Sequence, residues 1–210
     1  MAAERPADDG GHGRRRRESF AERRERRAAV DDPAVVLEAA ARFLEVRSRS
    51  VAEVRRRLTT NGYRPDLVDG AIARMTELGM LDDEGFARAW VESRDRSRPR
   101  GERAIRVELG QKGVDRAVID EVLAARRAGG LTLDDPTRPP DPDEPIVSAD
   151  RAAAERLLAK HARSLARVAD PRQRRARAYA LLARNGFDPE TCREVAAMAT
   201  DEPDEDAVED

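Results

Sequence analysis

The sequence predicts an all-α protein: an elongated array of three three-helix, helix-turn-helix-like repeats with disordered charged tails. Three observations lead there. Aromatic residues make up 3% of the 210 residues and charged residues 39%. An apolar fraction made mostly of Ala, Leu and Val suits helices with small contacts better than a deep sheet core. A signature of Leu, then Gly four residues on, then an apolar residue occurs as Leu58, Gly62, Tyr63, as Leu109, Gly113, Val114, and as Leu182, Gly186, Phe187. Each Gly is followed by the same helical stripe of apolar or small residues.

Residues 1–32 open the chain with the arginine run Arg14 to Arg17 and a mixed-charge stretch, too poor in apolar residues to hold a core, and most of this segment is expected to be disordered. The first repeat, 33–80, contains an amphipathic stretch at 36–46 around Leu37, Phe43 and Leu44. Next comes the Leu58 helix, which Gly62 ends in the left-handed position while Tyr63 folds back to seal it. A third helix starts at Pro65 and carries Leu67, Val68, Ala71 and Ile72 on one side.

The second repeat, 81–128, follows the same order: a stretch at 82–94 around Phe86, Trp90 and Val91, the Leu109 helix, then Asp115 as a cap before Val118, Ile119, Val122 and Leu123. Residues 129–149 bring Gly129, Gly130 and five prolines, which predict an extended acidic linker. In the third repeat, 150–199, a stretch at 150–168 around Leu157, Leu158 and Leu165 precedes the Leu182 helix. Asp188 and Pro189 then open a helix with Thr191, Cys192, Val195 and Ala196 on its stripe. Residues 200–210 form an acidic tail. Gly62 and Gly113 lie 51 residues apart and Gly113 and Gly186 lie 73 apart, so one insertion of linker length accounts for the difference.

The net charge of -2 averages unlike segments. The tail holds seven acids and no base, and 129–150 holds six acids against Arg138, so the remainder is basic. Positive charge gathers on each repeat's middle helix and its approach. Residues 47–64 carry six arginines against Glu53, 94–114 carry six arginines and Lys112 against three acids, and 171–187 carry five arginines and no acid. Helices aligned along one side would form a basic stripe suited to an extended polyanion or the acidic groove of a protein filament, where many weak contacts add. The plainer alternative is a solvated helix face.

Other chemistry is poorly supplied. One cysteine, Cys192, excludes an internal disulfide and sits on an apolar stripe; His12 and His161 lack zinc spacing. Asp82, Asp83 and Glu84 fit a helix N-cap better than a metal cluster. Phe86 and Trp90, four apart, fit core packing better than base stacking. Gly10, Gly11 and Gly13 follow no strand and precede no Gly-Lys-Ser/Thr, so they are not a phosphate loop. No set of side chains assembles a base, a nucleophile and a stabiliser, so no enzyme, cofactor or metal is expected. With no apolar run near the roughly 20 residues of a membrane span and no signal-peptide stretch, a soluble, cytoplasmic monomer is expected.

The run 47–58 with Arg47, Arg49 and Arg55 to Leu58, the segment 79–94 with Leu81, Asp82, Asp83, Phe86, Ala87 and Trp90, and then Gly101 to Ile105, Leu109 and Lys112 to Val114 resemble the RecX family in order and spacing. The likeness is fullest over 33–127; over 150–199 it rests mainly on the signature from Leu182 to Phe187. This resemblance implies a non-enzymatic regulator that binds the RecA recombinase filament on single-stranded DNA and inhibits its ATP hydrolysis, strand exchange or growth. It makes Arg47, Arg55, Arg56, Arg94, Arg103, Arg106, Lys112, Arg174 and Arg177 the candidate contacts to filament or DNA. A free-standing DNA-binding module is the rival, since three-helix units can place a helix in the major groove; a scaffold for another acidic partner is the third reading.

Overall fold

The computed structural model describes residues 18–128 and 148–198, and every regular element among them is an α-helix. Helices α2 (Pro33–Leu44), α3 (Val51–Asn61) and α4 (Pro65–Glu77) form the first repeat. The second comprises α5 (Asp83–Ser97), α6 (Glu102–Gln111) and α7 (Arg116–Arg127), and the third α8 (Ala149–Ala166), α9 (Pro171–Arg184) and α10 (Pro189–Met198). An additional helix, α1 (Phe20–Ala28), precedes them.

The three predicted signatures close the middle helices in one way. Gly62, Gly113 and Gly186 take φ of 100°, 78° and 84°. Behind them the amides of Tyr63, Val114 and Phe187 donate to the carbonyls of Leu58, Leu109 and Leu182 at 3.3, 3.2 and 3.4 Å. This reversal satisfies carbonyls that a helix end leaves orphaned and turns the apolar residue back onto the core. Leu58, Leu109 and Leu182 are each fully buried.

The predicted stripes are the buried faces. Val68, Ala71 and Ile72 face the first core, Ile119, Val122 and Leu123 the second, and Cys192, Val195 and Ala196 the third. Leu67, Val118 and Thr191 are half-buried beside them. Leu81, the first residue of the second unit as the sequence divides it, is buried in the first core. Starts are capped as expected: Asp115 accepts from the Ala117 amide at 2.8 Å, and Asp188 from the Glu190 and Thr191 amides at 2.9 and 3.0 Å.

The segment 1–32, read from sequence as mostly disordered, departs from that reading at α1. None of its residues is buried, which is why no apolar pattern announced it. A capping box holds its start, with the Glu22 amide donating to Ser19 Oγ at 3.2 Å and the Ser19 amide to Glu22 at 2.7 Å. The helix is seated on the first repeat: a Cβ on Gly62 would lie 2.4 Å from Arg24 Cγ and 2.8 Å from its carbonyl oxygen. The expectations for 1–17, 129–147 and 199–210, including His12 and the Gly10 to Gly13 cluster, lie outside the described residues.

Because the buried apolar residues fall into three clusters, one per repeat, the repeats are joined by polar contacts and close backbone approach. At the first joint, the Gly113 turn that ends α6 abuts the N-terminus of α3: a Cβ on Gly113 would lie 2.4 Å from Ala52 Cβ. Ser50 Oγ donates to the Lys112 carbonyl at 2.6 Å, and the Val51 amide to Asp83 at 2.9 Å. At the second joint, the Gly186 turn that ends α9 abuts the N-terminus of α6, and a Cβ on Gly101 would lie 2.3 Å from Gly186 backbone. There the Gly101 amide donates to the Asn185 carbonyl at 3.0 Å and the Glu102 amide to both oxygens of Asp150 at 3.2 Å. At each joint, an acid from the next repeat's first helix caps the preceding middle helix. The middle helices therefore meet end to end, α9 to α6 to α3, negative terminus against positive terminus.

Candidate polyanion-binding site

The joints decide which basic side chains are available to a ligand. Along the first joint Arg47 pairs with Glu53 at 3.2 Å, and Lys112 reaches the same carboxylate at 3.0 Å. Burial works against ionisation of Glu53, but the Lys112 ammonium, the Ser50 amide and Arg47 outweigh it and hold the pKa below the usual carboxylate range. The Lys112 ammonium also lies 5.0 Å from the centroid of the Trp90 ring, and the Arg94 guanidinium lies 4.2 Å from it. Trp90 Nε1 and Arg94 Nε both donate to Glu108, at 2.8 and 2.6 Å. Arg100 stands 3.7 Å from the same carboxylate and donates to Asn185 Oδ1 at 2.6 Å. One polar network thus runs from Arg47 in the first repeat to Asn185 in the third.

Phe86 is buried, as its helical spacing predicts; Trp90, with its ring centroid 6.0 Å away, is half-buried and joins the network by its indole N–H and ring face. Asp82 is the N-cap of α5, accepting from the Glu84 amide at 2.9 Å. Its neighbour Asp83 instead crosses to α3, and burial raises its pKa. Cys192 is buried with its thiol 3.7 Å from the Phe187 carbonyl, and burial raises its pKa. His161 is exposed. Among the described residues no group of three or more His, Cys, Asp or Glu is placed to hold a metal, and no helix is long and apolar enough to cross a membrane.

Of the nine candidate contacts, Arg47, Arg94 and Lys112 are therefore bound into the network. Arg55 pairs with Asp69 on α4, and Arg106 with Asp120 on α7 and with Glu102 at 3.2 Å. Arg174 donates to the Val168 carbonyl at 3.2 Å. Arg56, Arg103 and Arg177 are exposed and make no ion pair or hydrogen bond with the described residues. They lie two, six and five residues before Leu58, Leu109 and Leu182, so at about 100° per residue each falls within about 60° of the side opposite the buried Leu. The three free arginines face outward from three helices joined end to end.

The second joint also contains a charged group that lies outside the three arginine-rich segments of the middle helices. Arg126, near the end of α7, is 1% exposed and forms a two-pronged pair with Asp95 of α5, both bonds 2.9 Å. A third bond runs to Asp150 of α8, which also caps α6. Burial disfavours the guanidinium charge, yet the two carboxylates outweigh it and raise its pKa. For Asp150 burial prevails over Arg126 and the Glu102 amide, and its pKa is raised. In sequence Arg126 and Arg127 stand side by side near Gly129 and Gly130; Arg126, three to seven residues after Ile119, Val122 and Leu123, continues their buried stripe, whereas Arg127 is exposed.

The chain matches family models described as the first, second and third three-helix domains of RecX over residues 37–75, 82–123 and 149–196. It is 35% identical over 153 residues to the regulatory protein RecX of Mycolicibacterium vanbaalenii, covering 70% of this chain and 72% of that protein. Against the RecX of Mycobacterium ulcerans it is 34% identical over 154 residues, covering 73% and 78%. The match to RecX of Mycolicibacterium smegmatis is 47% identical over 83 residues, covering 40% of this chain and 44% of that protein. A crystal structure of RecX from Lactobacillus salivarius shares the fold with a TM-score of 0.64 at 17% identity, over 80% of this chain and 97% of the other.

Proposed function

The chain belongs to the RecX family of regulatory proteins, and on that premise we propose that it binds the RecA filament on single-stranded DNA and inhibits its ATPase, strand exchange and growth. It acts as a cytoplasmic monomer without cofactor or catalysis, and the units 33–80, 81–128 and 150–199 are its successive contact units. The observation that carries this reading is the end-to-end joining of α3, α6 and α9 with Arg56, Arg103 and Arg177 on their outer sides. A fixed row of charges suits a partner that repeats along its length, because each screened contact is weak alone and the sum is not. Arg55 and Arg106, held by Asp69 and Asp120, contribute only when the ligand displaces those acids.

The test is recombinase ATPase on single-stranded DNA with the protein titrated in. Reversing Arg56, Arg103 and Arg177 together should raise the concentration needed for inhibition by on the order of tenfold to a hundredfold, from three lost surface contacts of about 0.5–1 kcal/mol each. Stability should stay within about 0.5 kcal/mol. Inhibition by the triple variant at the wild-type concentration would refute the reading. Tight, salt-steep binding to naked duplex, with no preference for coated strands, would favour the free-standing DNA-binding module.

A further inference from the structure

Placing the repeats in register on their signature leucines exposes a break in the third. Arg55 and Arg106 each lie three residues before the signature Leu, and Asp69 and Asp120 seven after the signature Gly. In both repeats these two positions face each other as an ion pair between the middle and third helices. The same positions in the third repeat hold Tyr179 and Arg193. An acid is replaced by a base and an arginine by an aromatic ring, so the internal neutralisation of the first two repeats is absent there.

The surroundings extend the difference. Helix α9 contains no acid, and Arg172, Arg175 and Tyr179 follow one another at spacings of three and four, which places them along one side of it. Tyr179 is 36% exposed, and its hydroxyl has no hydrogen bond among the described residues. The side chains of Arg172, Arg175 and Arg193 are exposed and make no ion pair there. The nearby acids are occupied: Asp170 and Asp188 cap their own helices, and Glu194 stands 3.6 Å from Arg151. Among the described residues of this region, Glu190, exposed in the first turn of α10, is the carboxylate without such a role.

We propose that the arginines of α9 and α10 with Tyr179 form a binding surface for single-stranded nucleic acid, so that the third repeat holds the strand while the first two face protein. Unpaired guanidiniums bind backbone phosphates at little cost, since no internal partner must be given up. An exposed ring among them offers a face to an unstacked base, which a single strand presents and a duplex hides. A purely protein partner would match the charges but leave the ring without a role. The assignment deepens the filament reading, yet its test contains no recombinase, so either can fail alone.

The experiment measures anisotropy of a labelled oligothymidylate and of a duplex of equal length with the full chain at several salt concentrations. R172E/R175E should weaken single-strand affinity at least tenfold and flatten its salt dependence. Y179A should weaken it about tenfold, the loss of one stacked base, and leave duplex binding within about twofold. Y179F, which keeps the ring, should restore most of the affinity. R74E/R88E removes equal charge from α4 and α5 and should change it less than about threefold; melting curves confirm that each variant is folded. Equal losses from R74E/R88E and R172E/R175E, wild-type affinity in Y179A, or no wild-type binding at low salt would each overturn the proposal.

Discussion

The two joints between repeats use one backbone design and differ in how deeply their ion pairs are buried. Both seat a glycine turn on the N-terminus of the preceding middle helix and cap that helix with an acid, Asp83 in one and Asp150 in the other. The first adds a pair at its edge, Lys112 with Glu53. The second adds Arg126, 1% exposed, between Asp95 and Asp150. Five residues separate α4 from α5, whereas 21 separate α7 from α8. Closing a loop about four times longer costs roughly 1.2 kcal/mol more. The joint bridged by the longer stretch of chain is the one fastened from inside, by a buried pair whose defined geometry fixes the orientation of α7 against α8.

The largest effect should come from Arg126→Met. Removing the guanidinium leaves the Asp95 carboxylate buried without its partner, and about 3–5 kcal/mol of stability should be lost in calorimetry. The same experiment on Lys112→Met should cost about 1 kcal/mol or less, because that pair is in contact with water. Similar losses in the two variants would erase the contrast between the joints.

Gly101→Ala comes next. Its φ of -71° suits any residue, so the main penalty is the added methyl pressing on Gly186 backbone, with a smaller one because Ala is a poorer N-cap for α6 than Gly. A loss of about 1–3 kcal/mol is expected. Proteolytic cleavage between the second and third repeats should also quicken, while the first joint stays protected. Cleavage unchanged from wild type would mean that this close approach does not hold the third repeat in place.

The smallest effect is a pH dependence. Folding lowers the pKa of Glu53 from its ordinary 4.5, so the stability it supplies is present above about pH 4.5 and lost as pH falls through the lower folded value. Asp83 and Asp150 run the other way: burial raises both, and stability linked to them grows as pH falls through their folded values. Melting temperatures of wild type and Glu53→Gln between about pH 6 and 3 isolate the first contribution. The wild-type advantage should shrink on acidification; a constant difference would show that Glu53 is not held ionised by the joint.

What the sequence revealed follows from what repeats. Leu58, Leu109 and Leu182, with their glycines, recur because a helix end and a buried stripe are local demands, and local demands leave periodic marks. Arg126 and Asp95, 31 positions apart, each continue the buried stripe of their own helix, but their charges hide that position in the sequence and their pairing exists only after three helices fold. Asp83 was legible as a helix-start acid, but the amide it caps belongs to another repeat. Helix α1 lacked the apolar pattern that sequence reading depends on. The arginine-rich middle helices were plain to see, whereas the division into Arg55 and Arg106, which are neutralised, and Arg56, Arg103 and Arg177, which are free, depended on which acids α4 and α7 bring opposite them.

From N-cap to closing glycine, Ser50 to Gly62 in α3 and Gly101 to Gly113 in α6, the chain advances by 12 residues each time, and from Asp170 to Gly186 in α9 it advances by 16. Twelve residues of helix rise about 18 Å, so the protein carries a built-in ruler with two equal divisions and a third about one turn longer. One residue inserted in α6 would lengthen a single division by only about 1.5 Å, but it would rotate everything beyond it by about 100°. Such a molecule tolerates small errors of length and none of phase, and any periodic lattice it reads must match its screw as well as its spacing.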